Sequence, residues 1–232
     1  MFIEIGVGDY KEANTRFLLE NNNWRGLIID ADKRVLNVTK EEIYWKYDLT
    51  AVCAFITREN INHIIAEKGF KGEIGLLSID IDGNDYWIWE AIDVVDPIIV
   101  IIEYNSVFGS EHAIVVPYDP NFNRTRAHYS NLYWGASIKA LCLLAEKKGY
   151  VFVGSNSNGN NAYFIRRDKA KSLKILSPQE GYVKSKFRES RDEEGKLTYI
   201  SGDERIKVIA DMPVYDVEKD AIIPIKQVFK IG

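Results

Sequence analysis

Short apolar runs that end in an acid or a turn residue recur along this chain, and between them lie stretches whose apolar positions repeat at helical spacing. Strands covered on both faces read as continuously apolar, and Phe2–Ile5 and residues 26–29, 74–79 and 98–103 have that character. Residues 43–47 predict a further strand between the second and the fourth. Residues 150–153 and 162–166 flank Asn156-Ser157-Asn158-Gly159-Asn160, a cluster of turn formers, and predict an edge hairpin. Helices are expected over residues 13–20, 60–68 and 85–92. A longer one is expected over residues 135–148, where Ile138, Leu141, Cys142 and Ala145 share one face and Lys147-Lys148-Gly149 closes the end. Strands alternating with helices in this way predict an α/β chain built on a mostly parallel sheet.

Beyond residue 168 the character changes. Arg188 to Lys196 is a dense mixed-charge run, read as a solvated loop before short terminal strands at residues 197–200 and 206–209. The expected organisation is therefore one sheet domain over residues 1–167 and a small charged C-terminal extension over 168–232, packed on or beside it.

Composition narrows the partners. A chain of 232 residues suffices for one large α/β domain. Thirty Lys and Arg against 34 Asp and Glu leave a net charge of -4, without the basic footprint that phosphate neutralisation requires, so nucleic acid is not expected. The apolar stretch Ile98 to Ile102 is far short of the roughly 20 residues that span a bilayer, and no secretory leader pattern precedes the first strand. A soluble, cytoplasmic protein with no membrane partner is expected, with homo-oligomerisation open. Cys53 and Cys142 lie far apart in apolar contexts and read as core thiols.

Ligands of open parallel sheets bind beyond the carboxyl ends of the strands. There this sequence collects Glu4, Gly6 and Gly8 after the first strand and Asp30 and Asp32 after the second. Asp48 follows the third, Asp80, Asp82 and Asn84 the fourth, and Glu103, Tyr104 and Asn105 the fifth. The glycines let a ligand approach the backbone, and an acid roughly 20 positions later suits ribose hydroxyls. Tyr10 and Lys11 stand where a pyrophosphate would need bare backbone, so the cradle reads as one for a nucleoside without phosphates.

At Glu4-Ile5-Gly6-Val7-Gly8 the chain resembles the class I S-adenosylmethionine-dependent methyltransferases. Leu77-Ser78-Ile79-Asp80-Ile81-Asp82-Gly83-Asn84-Asp85 resembles the post-strand motif of their FkbM-type members. With the Asn14-Thr15-Arg16 segment, the resemblance covers residues 1–167. It implies a Rossmann-like, doubly wound, mostly parallel seven-stranded sheet with an antiparallel edge hairpin and a small C-terminal appendage. It also implies S-adenosylmethionine as cofactor, with Asp30 on the ribose and Asp48 beside the adenine amine. Glu4 would anchor the turn or face the methionine ammonium, and Gly6, Gly8, Asn14, Ala31 and Asp80 would complete the cofactor set.

Methyl transfer is an in-line displacement, so the enzyme positions a nucleophile and removes its proton. Asp80 or Asp82 is the candidate base, with His128 a further one because its ordinary pKa lies near neutrality. Related sugar and catechol enzymes place magnesium at this edge, and Asp82, Glu103 and Asn105 could supply oxygen ligands. Residues 108–134 lack helical periodicity and are rich in rings and amides, the character of a loop closing over a site. Asn105, Tyr118, Arg124, Tyr133 and Trp134 are the candidate acceptor-binding residues, suited to a small polyhydroxylated acceptor such as a carbohydrate. The expected activity is methylation of a hydroxyl or amine on such an acceptor. The alternatives are a magnesium-dependent phosphate or nucleotide-sugar enzyme on the same fold, or a binding module without turnover.

Overall fold

The computed structural model describes residues 1–38, 46–186 and 189–231. Its main sheet has seven strands in the order β3-β2-β1-β4-β5-β8-β7. These are β1 (Phe2–Ile5), β2 (Gly26–Asp30), β3 (Leu49–Cys53), β4 (Gly72–Ile79), β5 (Val95–Glu103), β7 (Tyr150–Ser155) and β8 (Asn161–Arg166). β1 pairs in parallel with β2 and β4, β2 with β3, and β4 with β5, while β7 and β8 form an antiparallel hairpin. The expected α/β architecture is present. The chain steps from β1 outward to β3, then returns to β4 on the other side of β1, which puts the switch of direction between β1 and β4.

The described residues group into two compact units. Unit 1 comprises residues 1–81 and 87–102. It holds β1 to β4, most of β5, and three helices: α1 (Arg16–Asn22), α2 (Arg34–Asn37) and α3 (Ile61–Glu67). α4 (Asp85–Ala91) begins in the other unit and runs into this one. Phe2, Ile3 and Ile5 of β1 and Leu27, Ile28 and Ile29 of β2 are completely buried, as continuously apolar central strands should be.

One expected strand needs correction. Residues 43–45 lie outside the described residues, and the third strand of the sheet is β3, whose first residue follows Asp48. Asp48 therefore stands at the amino end of β3, where its carbonyl oxygen accepts from Gly26 N at 2.9 Å and its carboxylate lies 3.8 Å from Arg25. β3 reads Leu49-Thr50-Ala51-Val52-Cys53 and is half-buried along its whole length, unlike the fully covered central strands.

Unit 2 comprises residues 82–86 and 103–232. Its helices are α5 (Arg124–Ala127), α6 (Ile138–Lys147), α7 (Pro178–Gly181), α8 (Glu204–Val208) and α9 (Ile225–Phe229). A second, three-stranded sheet pairs β6 (Ile114–Val115) with β9 (Pro213–Asp216) and β9 with β10 (Ala221–Pro224), both antiparallel. The terminal strands expected at residues 197–200 and 206–209 are not formed. Leu197 makes a single bridge to Arg191, and Ile206 lies in α8. At the hairpin, Asn156 Oδ1 accepts from Gly159, Asn160 and Asn161 N–H groups, which folds the predicted turn.

α6 starts three residues later than its apolar pattern suggested. Ala136 bridges to Val115, and Ser137 caps the helix by accepting from Ala140 N at 3.1 Å. Residues 108–134, read as an irregular closing loop, instead build much of the unit's core. Phe108, Ile114, Val116, Leu132 and Tyr133 pack with Ile206, Ile209, Val214, Ile225 and Val228. Tyr133 is 5% exposed and its hydroxyl donates to Pro213 O at 2.5 Å, so this ring supports the core rather than facing an acceptor. Among the described residues no helix is long and apolar enough to cross a membrane.

Tyr133 gives a graded test of this core. Tyr133→Phe removes one buried hydrogen bond and should cost about 1 kcal/mol, whereas Tyr133→Ala also opens a cavity and should cost about 3–5 kcal/mol. Urea denaturation followed by circular dichroism measures both, and equal losses would contradict the hydrogen-bonded core position.

Candidate functional site

At the switch point of unit 1, β1 leads into a loop containing three positive φ values, at Gly6 (82°), Gly8 (52°) and Tyr10 (60°). At Gly6 any Cβ would lie 1.6 Å from the carbonyl oxygen of Asp80, so only glycine lets the ends of β1 and β4 come together. Space is open where a Cβ of Gly8 would point, which makes Gly8 the bare face of the loop.

Two carboxylates fix that loop. Glu4 is 4% exposed and accepts from Asn14 N at 2.9 Å, Thr15 N at 3.1 Å and the Thr15 hydroxyl. The Tyr10 hydroxyl bonds Thr15 Oγ1 at 2.9 Å, and Asn14 Nδ2 donates to Ser78 Oγ of β4 at 3.0 Å. Glu4 thus anchors the loop, the first of its two expected roles. Its bonds to Asn14 and Thr15 also explain why α1 begins at Arg16, later than its apolar pattern suggested. Burial pushes the Glu4 carboxyl above its ordinary value, opposed by the donors from Thr15, Asn14 and Ser78.

Asp30, at the end of β2, is only half-buried. Its Oδ2 accepts from Gly8 N at 2.7 Å and its Oδ1 from Asp32 N at 2.7 Å. A carboxylate oxygen has two acceptor positions, so each keeps one for a further donor. Ala31 beside it is exposed, its carbonyl taking a contact from Cys53 Sγ at 3.6 Å.

This arrangement selects among ligands. The amides of Gly8, Asn14 and Thr15, which a phosphate would use, already bond carboxylates, and a phosphate near Gly8 would meet the Asp30 charge. A ribose diol, with two O–H donors, suits the remaining acceptor positions of Asp30. The residues present fit a nucleoside and disfavour a nucleotide. Asp48 is not among them, because it lies at the other end of its strand.

Unit 2 holds a separate concavity of about 240 Å³, lined by Glu103, Asn105, Arg124, Trp134, Asn160 and Arg205 among others. Arg124 is fixed on three sides. Its Nε donates to Asn131 O at 3.0 Å, its Nη1 pairs with Asp82 at 2.8 Å, and its guanidinium lies 4.7 Å above the Trp134 ring. Asn105 directs both side-chain amide donors to Leu132 O and Trp134 O and accepts from Val107 N. It shapes the wall, and its amide donors are not offered to a ligand.

The suggested metal set fails on the same evidence. The Asn105 oxygen serves Val107, Asp82 is the counter-ion of Arg124, and among the described residues no group of three or more acids, histidines or cysteines could hold a metal ion. His128 stacks on Tyr129 and accepts at Nδ1 from Ser130 N at 3.2 Å, with burial lowering its pKa. Tyr118 is half-buried and does not line the cavity. Sequence reasoning missed Asn160 and Arg205. Arg205 is 5% exposed, yet in a mixed-charge segment nothing distinguishes a buried arginine from a solvated one.

No family model and no curated protein matches this chain. Several solved structures are similar to it in part. A ribosomal protein L11 methylase from Lactobacillus delbrueckii subsp. bulgaricus shows 10% identity over 72% of this chain and 69% of its own, with a TM-score of 0.41. The methyltransferase domain of bacterial CtHen1-C shows 14% identity over 71% and 88%, with a TM-score of 0.43. The N-terminal domain of EvdMO1, solved with SAH and D-fucose, shows 10% identity over 71% and 73%, with a TM-score of 0.42. Likeness this distant assigns no activity to this chain.

The Glu4 anchor predicts a pH signature. Glu4→Gln sets an amide donor against the Thr15 donors and should cost about 1–3 kcal/mol. The raised pKa of Glu4 means that, above the ordinary value of 4.5, the folded state keeps a proton the unfolded state has lost. The resulting stability is complete below that value and declines as pH rises through the folded pKa. The advantage of wild type over Glu4→Gln should therefore shrink with rising pH in denaturation series, and a pH-independent gap would contradict the burial argument.

Proposed function

We propose that this protein is an S-adenosylmethionine-dependent methyltransferase of FkbM-like character, acting on a hydroxyl or amine of a small polar acceptor. The observation that carries the reading is the Asp30 carboxylate bound to Gly8 N at the carboxyl ends of β1 and β2, with open space at Gly8. It supports a phosphate-free nucleoside held by its ribose. The main-sheet order, with an antiparallel hairpin at one edge, agrees with the arrangement expected for class I methyltransferases.

In this reading Asp30 orients the cofactor's sugar, and Gly8 leaves room for its approach. The cofactor supplies an electrophilic methyl group. The chain's own task is alignment of the nucleophile and removal of its proton. We assign that proton to Asp80, which directly follows β4 at its carboxyl end beside Gly6.

Calorimetry with the demethylated cofactor tests the first step. Wild type should bind it, and Asp30→Ala should bind roughly 10- to 100-fold more weakly, the loss of hydrogen bonds to a charged acceptor. Absence of binding to wild type would remove the basis of the reading. Asp80→Asn should retain that affinity and lose roughly 100-fold or more in turnover, whereas unchanged turnover would move the proton-accepting role elsewhere.

A further inference from the structure

Among the described residues, the cavity of unit 2 is lined by two acids, Glu103 and Glu189, and two arginines, Arg124 and Arg205, so these walls carry both signs in balance. Glu103 and Arg205 are 8% and 5% exposed, which makes them part of the built interior. Several polar atoms around them are uncommitted. Trp134 directs its carbonyl to Asn105, and its indole N–H has no acceptor among the described residues. Asn160 uses its side-chain oxygen on Asn156, and its amide nitrogen has no acceptor among the described residues. The Ser106 hydroxyl accepts from Ser185 N and keeps a proton to donate. On the acidic side, Glu189 Oε1 takes Asn131 Nδ2 and Arg191 Nη2, and its Oε2 has no partner among the described residues.

Charge balance decides what such a cavity can take. A simple anion would gain from Arg124 and Arg205 but meet two carboxylates, and a simple cation would meet two guanidinium groups. A neutral polyol would exploit neither sign. A molecule bearing one carboxylate and one ammonium matches both, with the carboxylate on the arginine, indole and amide donors and the ammonium on the acids. The volume of about 240 Å³ equals the liquid volume of about eight waters, the size of a free amino acid. Leu132, Val107 and the Trp134 ring offer apolar wall for its side chain.

We propose that this cavity is a binding site for a small zwitterion of the amino-acid class. The binding claim stands without the cofactor reading.

The experiment is calorimetric titration of the full chain with L-leucine and a panel of other L-amino acids, with and without the demethylated cofactor. L-leucinamide, 4-methylpentanoate and glucose serve as probes lacking one charge or both. At least one amino acid should bind, and removing either of its charges should weaken binding at least roughly tenfold. Arg124→Gln, at a side chain 23% exposed whose partner Asp82 is itself exposed, should abolish most of that binding while leaving cofactor affinity unchanged. Arg124→Lys should recover part of it.

Equal binding of glucose or of the singly charged analogues would overturn the proposal, as would no binding by any amino acid at millimolar concentration. Displacement of the demethylated cofactor by the amino acid would also overturn it, because the cavity would then hold the cofactor's own amino-acid tail. Amino-acid binding without any cofactor binding would uphold the site and remove the methyltransferase reading instead.

Discussion

A buried carboxylate that accepts from the main chain is the constraint on which the carboxyl edge of unit 1 depends. Burying an ionisable group in a sheet is costly unless its acceptor positions are filled, and Glu4 fills them with two backbone N–H groups and a hydroxyl. Those bonds dictate the path of residues 6–15. The chain must turn back sharply after β1 to present Asn14 and Thr15 to Glu4, which it does through positive φ at Gly6, Gly8 and Tyr10. Asp30 closes the same loop from the neighbouring strand. The amides of Gly8, Asn14 and Thr15 are consequently spent inside the protein, and the open face at Gly8 adjoins a carboxylate. The ligand class favoured at this edge follows from that accounting of donors.

The central strands were legible in the sequence because both of their faces are covered, so burial appears as an unbroken apolar run. Strands at the margins lack that signature. β3 is half-buried along its whole length, and β6 is two residues long. The isoleucines at 206 and 209 suggested a strand by composition, yet they pack beneath a short helix against Val214 and Val228. β9 is paired by β10 on one side and by β6 on the other while Val214 packs in one core with Ile114 and Val228, a relation between distant segments that local pattern does not contain.

The candidate site was legible to the extent that it lies on strand ends. Asp30 and the two glycines stand where strand periodicity puts them, and Asp48 does not, since an error in strand position carries its terminal residue to the opposite edge. Aromatic residues misled in another way. Tyr133 and Trp134 are adjacent in sequence and chemically alike, but Tyr133 turns into the core and bonds Pro213 O, whereas Trp134 lines the cavity under Arg124. Asn105 decides between them by holding the carbonyls of Leu132 and Trp134, a role for an amide that composition cannot separate from ligand binding.

Tyr10 shows how this loop differs from one built on glycine alone. A non-glycine residue in the left-handed region costs about 1–2 kcal/mol and persists only when its surroundings over-determine it. Here the ring is completely buried and its hydroxyl bonds Thr15, which in turn bonds Glu4. A glycine at this position would relieve the strain and lose the ring's packing together with the end of the hydrogen-bonded chain. Burial raises the Tyr10 pKa far above its ordinary value, so the phenol stays neutral across the physiological range. A neutral donor committed to Thr15 strengthens the acceptor network around Glu4, and the loop is held in one shape before any ligand arrives. Preorganisation of that kind lowers the ordering cost of binding at Gly8 and Asp30, and it leaves the loop little freedom to open for a bulkier, phosphorylated ligand.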